Sequence, residues 1–167
     1  TSGKEKVIVL NDLFKEFRNN DPSKAMLYTE EALTLARSIN DYSGIASSLN
    51  NKGVLYRHSG NLDKALTSYI EAINIQEENG LDDALAYTYS NIGTIYSLKG
   101  EYQKALEYFL KANNKFEIIG HKLRSIGTLN NIGNVYSDMN NYDEALKYYL
   151  KSEQLYDQLE DQKQAFV

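Results

Sequence analysis

The chain has 167 residues, of which 42% are hydrophobic and 25% are charged, and its formal net charge is −5. These proportions are typical of a folded domain and exclude the low hydrophobicity and high charge of an intrinsically disordered chain. Because Lys and Arg are spread among Asp and Glu and the net charge is negative, the sequence also argues against nucleic acid as a partner.

One unit of sequence is repeated four times with a spacing of 40 residues. Asn recurs in every copy, and Gly and Tyr recur at other registers in copies two to four. The spacing divides the chain into repeats of about 4–40, 41–80, 81–120 and 121–160, which we expect to form a single domain over residues 1–167. The repeated residues are Asn11, Asn51, Asn91 and Asn131; Gly53, Gly93 and Gly133; and Tyr56, Tyr96 and Tyr136.

Each unit is predicted to contain two helices of about 16 residues, because residues that favour turns occur at two fixed places. Asn and Gly tolerate the left-handed backbone conformation that commonly follows a helix C-terminus. After the first turn, Asp21, Asn61 and Asn141 are good helix N-caps, and Pro22 suits a first helical position. The predicted left-handed residues are Asn20, Gly60, Gly100 and Asn140 within the units, and Asn40, Gly80 and Gly120 between them.

Apolar residues follow helical spacing in both helices of a unit, so each helix is predicted to have a face for packing on its neighbours. Three glycines lie inside predicted helices, where Gly is unfavourable by about 1 kcal/mol relative to Ala, so we expect a close helix crossing at each. The expected partner of each Gly is the Ala of the second helix. These pairs are Gly53 with Ala65, Gly93 with Ala105 and Gly133 with Ala145, and the clearest apolar faces are Leu85, Tyr89, Ile92, Tyr96 and Leu62, Ala65, Leu66, Tyr69, Ala72, Ile73.

The pattern Gly93, Tyr96, Gly100, Ala105, Phe109 and Ala112 resembles the signature of the tetratricopeptide repeat. The first unit departs from it, with Leu13 at the Gly position and Glu16 at the Tyr position, and is expected to be an atypical cap. The resemblance implies an all-α fold, a right-handed α-solenoid of antiparallel helix pairs with four repeats and the start of a fifth. Long repeats of this kind are similar to the arrays of bacterial sensor histidine kinases and regulators and to kinesin light chains.

In the family that the chain resembles, the first helix of each pair lines a concave groove, so polar residues on those helices are the candidate peptide-binding residues. An Asn amide both donates and accepts, and a row of them can pair with successive backbone groups of an extended peptide. The alternative is that each Asn makes a side-chain hydrogen bond to a neighbouring helix and fixes the stacking. The candidates are Asn11, Asn50, Asn51, Val54, Arg57, Tyr87, Ser90, Asn91, Thr94, Asn130, Asn131 and Asn134.

Some proteins of this family hold a C-terminal carboxylate with a clamp of several Lys, Asn and Arg residues. Here Arg57 is the one cation among the candidates, which argues against a receptor for chaperone tails. At the N-terminal end, Leu10, Phe14 and Phe17 form an apolar set with two interpretations. They line a pocket for a hydrophobic side chain of a partner, or they are core residues beneath a missing N-terminal element.

The sequence offers no group of residues for catalysis, a cofactor or a metal. His58 and His121 lie at unmatched positions without a metal-ligand companion, and adjacent acids such as Glu77 and Glu78 belong to solvated faces. The tyrosines recur at core registers, so packing rather than base stacking explains them. No run approaches the roughly 18 apolar residues of a membrane-spanning helix, and the absence of cysteine leaves cytoplasmic and bacterial periplasmic locations open.

The predicted function is a non-enzymatic scaffold that binds a protein or an extended peptide, as the sensory or adaptor part of a bacterial signalling protein. The alternative is a structural or oligomerisation spacer without a peptide ligand. Residues Gln164 to Val167 correspond in register to the opening of another first helix, so we expect the chain to be part of a longer protein. Helix 142–160 is then expected to be covered by further repeats or by a second copy in a homo-oligomer.

Overall fold

The computed structural model describes residues 2–164 of the chain, and the side chains of residues 2–161. Within these residues there are eight α-helices and no β-strand, which confirms the predicted all-α class. The helices are α1 (Gly3–Phe17), α2 (Pro22–Ser38), α3 (Tyr42–His58), α4 (Leu62–Glu78), α5 (Asp82–Leu98), α6 (Tyr102–Ile118), α7 (Lys122–Asp138) and α8 (Tyr142–Gln164).

The turns between helices follow the predicted pattern except at one place. Asn40, Asn140 and the four glycines at 60, 80, 100 and 120 have positive φ angles, as predicted, but Asn20 does not. At the other turns the N–H after the left-handed residue bonds a carbonyl five residues back, as Asn61 N does to Tyr56 O at 2.8 Å. Asp21 N instead bonds Phe17 O, four residues back, at 2.7 Å. This tighter closure does not need a left-handed residue, which is why the prediction for Asn20 is wrong.

Two of the three predicted N-caps bond the backbone of their helix. Asp21 accepts from Lys24 N at 3.0 Å and Asn141 accepts from Glu144 N at 3.4 Å, and Pro22 occupies the first position of α2 as predicted. Asn61 makes no such bond. The last helix also differs from expectation, because α8 has 23 residues and continues through residue 160, where the other units turn. Of the predicted start of a fifth repeat, Gln164 to Val167, Gln164 is the last residue of α8, and residues 165–167 lie outside the described residues.

The chain forms two compact units, Thr1–Thr88 and Tyr89–Val167, and the boundary falls inside α5. In the first unit, α1 to α4 contribute to one buried cluster, and a second cluster joins α1, α2 and α3. In the second unit, α6 and α7 contribute a cluster against which half-buried Tyr and Met side chains pack. The clusters are Val7, Leu33, Ala36, Ile45, Leu49 and Ala72; Phe14, Ala25 and Leu55; and Ala105, Leu106, Phe109, Ile132 and Val135.

The three helical glycines do mark close helix crossings, and the atoms nearest to each glycine belong to an aromatic ring on the second helix. A Cβ added to Gly93 would lie 2.7 Å from the Phe109 ring, and one added to Gly133 would lie 2.6 Å from the Tyr149 ring. Gly53 is covered in the same way by Tyr69. Ala65, Ala105 and Ala145 are therefore not the nearest neighbours of the glycines, because the ring four residues further along the second helix fills the space that the missing side chain leaves.

Several tyrosines pack between the two helices of a pair. Tyr96 stacks on Tyr108 with ring centroids 5.6 Å apart, and Tyr136 stacks on Tyr148 at 5.5 Å. Lys104 lies over the Tyr96 ring at 5.2 Å, which is the geometry of a cation–π contact. These contacts support the prediction that the recurring tyrosines serve packing.

Candidate functional site

The first two repeated asparagines bond each other. Asn51 Nδ2 on α3 donates to Asn11 Oδ1 on α1 at 2.7 Å, and Asn11 Nδ2 donates to Val7 O at 3.1 Å. Ser48 Oγ approaches the same Asn11 oxygen at 3.3 Å. Asn11 is only 9% exposed, so both ends of its amide are used inside the protein. Asn51 is half-buried, and its oxygen accepts no hydrogen bond from the described residues.

Asn50, the neighbour of Asn51, bonds the fully buried Thr88. Asn50 Nδ2 donates to Thr88 Oγ1 at 2.8 Å, and the Thr88 hydroxyl has Ala84 O as an acceptor at 3.0 Å. Asn50 also donates to Ala46 O at 3.1 Å. Sequence reasoning did not identify Thr88, because a Thr inside an apolar helical face has no signal beyond its own hydroxyl.

The apolar set at the N-terminal end belongs to the core. Leu10 is 5% exposed and Phe14 is 2% exposed, so neither offers surface to a partner. Phe14 clusters with Ala25 and Leu55, and the candidate residue Val54 packs against the same cluster. Phe17, the third residue of the set, is half-buried and packs against this cluster too. With two of its three residues buried, the set does not form the predicted pocket. The alternative, core residues beneath a missing N-terminal element, is corrected in one respect, because the helices that cover these residues are the chain's own α2 and α3.

In the second unit the candidate residues are more open. Asn130 and Asn134 are exposed, and Asn91 and Asn131 are half-buried. Within the described part of this unit, no hydrogen bond joins the Asn91 and Asn131 side chains, in contrast to the Asn11 and Asn51 pair. Their amides are therefore available for other partners. Two further candidates of this unit, Ser90 and Thr94, are half-buried too, and Thr94 Oγ1 donates to Ser90 O at 3.1 Å. Tyr87, also on α5 and half-buried, belongs to the first unit.

The tyrosine hydroxyls at the glycine crossings also differ between units. Tyr149 Oη donates to Asn134 Oδ1 at 2.7 Å. Tyr69 occupies the same register in the second repeat, is fully buried, and its hydroxyl has no hydrogen-bond partner among the described residues. Sequence reasoning treated both rings as packing residues and missed this difference. The signal that was present is the residue at the register of Asn134, which is Val54 in the second repeat and has no hydrogen-bonding side chain.

Positive charge concentrates at the C-terminal end of α3. Arg57 Nη2 lies 3.1 Å from His58 Nε2, and because a guanidinium has only donors, Nε2 is the acceptor and His58 is neutral. Burial lowers the pKa of His58, and the charges of Arg57 and Arg18 lower it further. Burial raises the pKa of the Tyr69 hydroxyl to about 12, and the nearby Arg57 opposes part of that rise. Arg57 Nε is itself buried, and it has no hydrogen-bond partner among residues 2–161.

Within residues 2–161, no group of three or more His, Cys, Asp or Glu side chains is placed to hold a metal ion. Within residues 2–164, no helix has the length and hydrophobicity to cross a bilayer.

Comparison with known proteins identifies the repeat. Models described as the tetratricopeptide repeat match residues 44–113 and residues 127–161, together more than half of the chain. No curated protein matches the chain in sequence.

Solved structures share the fold over nearly the whole chain. The apo form of RapI has a TM-score of 0.84 at 22% identity, covering 96% of this chain and 59% of that one. A Rap protein complexed with competence and sporulation factor has a TM-score of 0.86 at 20% identity, covering 95% and 44%. A signal transduction ATPase from Pyrococcus horikoshii with a tetratricopeptide repeat sensor has a TM-score of 0.81 at 19% identity, covering 99% and 26%.

The similarities to these three structures concern the fold. At 22% identity or less, they establish the fold alone. The chain also spans no more than 59% of the length of each of the three structures, so it matches only a part of each.

Proposed function

Because this chain belongs to the tetratricopeptide repeat family, we propose that it is a non-enzymatic protein-binding scaffold that holds an extended peptide against its first helices. Repeats of this type act by presenting side chains from successive helix pairs to a partner. The proposal extends to a sensory or adaptor role in a bacterial signalling protein. A Rap protein in complex with competence and sporulation factor and an ATPase whose tetratricopeptide repeats are a sensor support that role by their likeness in fold.

The observation that carries the proposal is that the side-chain amides of Asn91 on α5 and Asn131 on α7 do not bond each other. Asn91 and Asn131 are half-buried on first helices and are not bonded to each other, within the described part of their unit. A side chain held by its own helix but open on one side can bond a peptide N–H and C=O without regard to the peptide's side chains. The other candidates that keep an exposed or half-buried surface are Asn50, Asn51, Val54, Arg57, Tyr87, Ser90, Thr94, Asn130 and Asn134.

The spacer is the second candidate function, and one observation favours it. Asn11 is nearly buried, and its amide forms hydrogen bonds with Asn51 and with Val7 O. A bond to a neighbouring helix is what the alternative interpretation of the asparagines predicted. Because Asn51 is needed for that contact, its substitution confounds binding with stability. Asn91 and Asn131 are the cleaner positions for a test.

The test is selection of a displayed library of random dodecapeptides on the wild-type chain, followed by affinity measurement on the double variant Asn91→Ala, Asn131→Ala. Loss of two hydrogen bonds is expected to weaken the selected peptides by roughly 5- to 100-fold. The matched control is Asn74→Ala, Asn114→Ala, two exposed asparagines on the second helices α4 and α6 with the same spacing. The control is expected to bind like the wild type, and both variants are expected to keep its melting temperature.

Two results would contradict the proposal. One is the absence of any enriched peptide on the wild-type chain, which would favour the spacer. The other is equal weakening by the test and control variants, since that would show that the first-helix amides are not special.

A further inference from the structure

The turn between α4 and α5 differs from other turns of the chain in its backbone hydrogen bonds. At the ends of α2, α3, α6 and α7, the N–H of the C-cap residue bonds the carbonyl four residues back, as Ser59 N does to Leu55 O at 3.0 Å. At the end of α4, the Asn79 N–H reaches only Glu77 O, and Asn79 Nδ2 donates to Ile75 O at 2.7 Å. One backbone bond of the helix is therefore replaced by a side-chain amide.

The residue that follows Asn79 is also held weakly. Gly80 N lies 3.5 Å from Glu77 O, whereas the corresponding distances at the other left-handed residues lie between 2.9 and 3.3 Å. The bond from Leu81 N to Gln76 O, at 2.9 Å, still closes the turn. Local opening is easiest where backbone hydrogen bonds are weak and solvent-exposed, and Asn79 and Gly80 are both exposed. Among the described turns with a left-handed residue, we expect this one to open most often.

The same turn contains the one Asn-Gly dipeptide of the sequence, at residues 79 and 80. The side-chain carbonyl carbon of an Asn lies within reach of the backbone nitrogen of the next residue, and Gly has no Cβ to hinder the approach. Ring closure between these atoms needs rotation about the ψ angle of Asn79, which is 8° at the helix end, so the turn must open first. Weak closure and an unhindered nitrogen thus coincide in this turn.

We propose that Asn79 is a site of spontaneous deamidation, a modification that converts its side-chain amide into a carboxylate. In the opened turn, Gly80 N gives up its proton to water or hydroxide and attacks Asn79 Cγ. The new N–Cγ bond closes a succinimide ring, the Cγ–Nδ2 bond breaks, and Nδ2 takes up a proton and leaves as ammonia. Water then opens the ring. Cleavage of the bond from Gly80 N to Cγ gives Asp, and cleavage of the bond from Gly80 N to the main-chain carbonyl carbon gives isoaspartate.

The reaction consumes a water molecule and releases ammonia, and it is independent of the proposed peptide binding. Its product is unfavourable at the end of α4. The Asn79 amide donates to Ile75 O, but a carboxylate has no proton to donate and repels that carbonyl. A negative charge is also unfavourable at a helix C-terminus, where Glu77 and Glu78 already lie. Because ammonia is lost, the change is irreversible, and the last turn of α4 is expected to loosen progressively as the protein ages.

The test is incubation of the full chain at neutral and at mildly alkaline pH, for the time in which an acetylated Glu-Asn-Gly-Leu amide is fully converted. Peptide mapping by mass spectrometry follows each asparagine, and an isoaspartate methyltransferase assay detects isoaspartate. We expect Asn79 to be modified before any other asparagine, to give both products, and to react faster at the higher pH because the attacking nitrogen must lose a proton.

Two results of this incubation would overturn the proposal. One is an unmodified Asn79, or the earlier modification of another asparagine, which would refute the site. The other is an equal rate at the two pH values or the absence of isoaspartate, since either would exclude the succinimide route.

A matched variant tests the contribution of the turn. Ser59→Asn places an asparagine before Gly60, where the C-cap N–H bonds Leu55 O and Gly60 N bonds Arg57 O at 3.1 Å. That asparagine is expected to deamidate roughly fivefold more slowly than Asn79, the factor that one net hydrogen bond gives to a local opening equilibrium. Equal rates would refute the role of the weakly closed turn.

A second variant tests the role of the glycine. Gly80→Asn keeps a residue that tolerates the left-handed conformation, as Asn40 and Asn140 do at the same place in other turns, and it adds a Cβ beside the attacking nitrogen. It is expected to slow the deamidation of Asn79 severalfold. An unchanged rate would contradict attack by this nitrogen.

The expected consequence for α4 is measured separately. Asn79→Asp imitates one product and is expected to lower the melting temperature by a few degrees. The control is Asn114→Asp, which adds the same charge at an exposed position of α6 and is expected to lower it less. Equal melting temperatures of the two variants would refute the loosening of α4, whereas the modification site is decided by peptide mapping alone.

Discussion

The two compact units contain the same type of helix crossing, a glycine covered by an aromatic ring, but they differ in the polar contacts around it. Gly53 meets Tyr69 in the first unit, and Gly93 and Gly133 meet Phe109 and Tyr149 in the second. Shape is therefore the same at all three crossings. The polar groups are not, because the Tyr149 hydroxyl bonds Asn134 in the second unit, whereas the Tyr69 hydroxyl has no partner of hydrogen-bond geometry within residues 2–161.

The repeated asparagines show the opposite distribution. Asn11 and Asn51 are joined at 2.7 Å in the first unit, while Asn91 and Asn131 are not joined within the described residues of the second. The same residue type at the same register thus has a structural role in one unit and spare bonding capacity in the other. The comparison teaches that repetition identifies where the helices pack, and that non-repeated neighbours such as Val54 and Asn134 decide which polar groups remain available.

The largest expected effect on stability is at the glycine crossings, which occur in both units. Gly93→Leu forces a side chain into the Phe109 ring and is expected to lower the free energy of unfolding by about 1–3 kcal/mol. The matched control is Gly127→Leu on α7, an exposed position with no atom within 4 Å of an added Cβ, where stability is expected to be unchanged or slightly higher. Urea unfolding of the two variants measures this difference, and equal costs would show that the crossing is not close-packed.

Removal of the tyrosine hydroxyl is expected to change the stability of the two units differently. Tyr149→Phe removes a hydrogen bond to Asn134 and is expected to cost about 0.5–1.5 kcal/mol. Tyr69→Phe removes a buried hydroxyl that has no partner among the described residues, and it is expected to be neutral or stabilising. Thermal unfolding of both variants provides the measurement. A destabilised Tyr69→Phe would mean that the hydroxyl is already bonded in the free protein.

A smaller difference is expected at the asparagines. Asn51→Ala removes one of two donors to the nearly buried Asn11 oxygen, at an expected cost of about 1 kcal/mol, while Ser48 still approaches that oxygen. Asn131→Ala loses no bond to Asn91 and gains helix propensity, so stability is expected to be equal or slightly higher. Chemical denaturation of the pair measures this contrast. If Asn131→Ala were the more destabilising, the assignment of roles to the two units would be reversed.

The smallest expected effect is the titration of His58 in the first unit. Burial, then Arg57 and Arg18, lower its pKa below the usual value, so the unfolded chain binds more protons than the folded one as the pH falls past 6.5. The contribution of His58 to stability is therefore fully present above that pH and is lost during acidification. Arg57→Gln removes one cause and is expected to raise the pKa measured by NMR, while Arg37→Gln leaves it unchanged. A wild-type pKa at or above 6.5 would contradict the contacts described.

Much of the fold could be predicted because it depends on local chemistry. The left-handed turns at residues such as Gly60 and Asn140 follow from backbone sterics, and Pro22 at the start of α2 follows from its fixed φ. The prediction of a left-handed conformation at Asn20 failed because the hydrogen bonds of its turn, and not its residue type, decided the conformation. The continuation of α8 past residue 160 was not predicted from the period, since Glu160 replaces the Gly or Asn that ends the other helices.

Less of the candidate site could be predicted. The register of the asparagines identified one face of each first helix, but spacing contains no information on which amide oxygen is already occupied. Asn11 and Asn131 are equivalent in sequence, and only the distance from Asn51 to Asn11 shows that the first is used internally. The same holds for Leu10 and Phe14, whose burial depends on helices distant in the sequence.

The sequence by itself determined the helices, their turns, the repeat and the glycine positions where two helices meet closely, because these depend on backbone sterics and on the periodicity of small and apolar residues. Only the tertiary structure decided that an aromatic ring fills each of those crossings, that Asn11 and Asn51 bond each other, and that the Tyr149 hydroxyl bonds Asn134. The physical reason is that hydrogen bonds and burial are properties of pairs of residues on different helices, and spacing along one chain does not specify how those pairs meet.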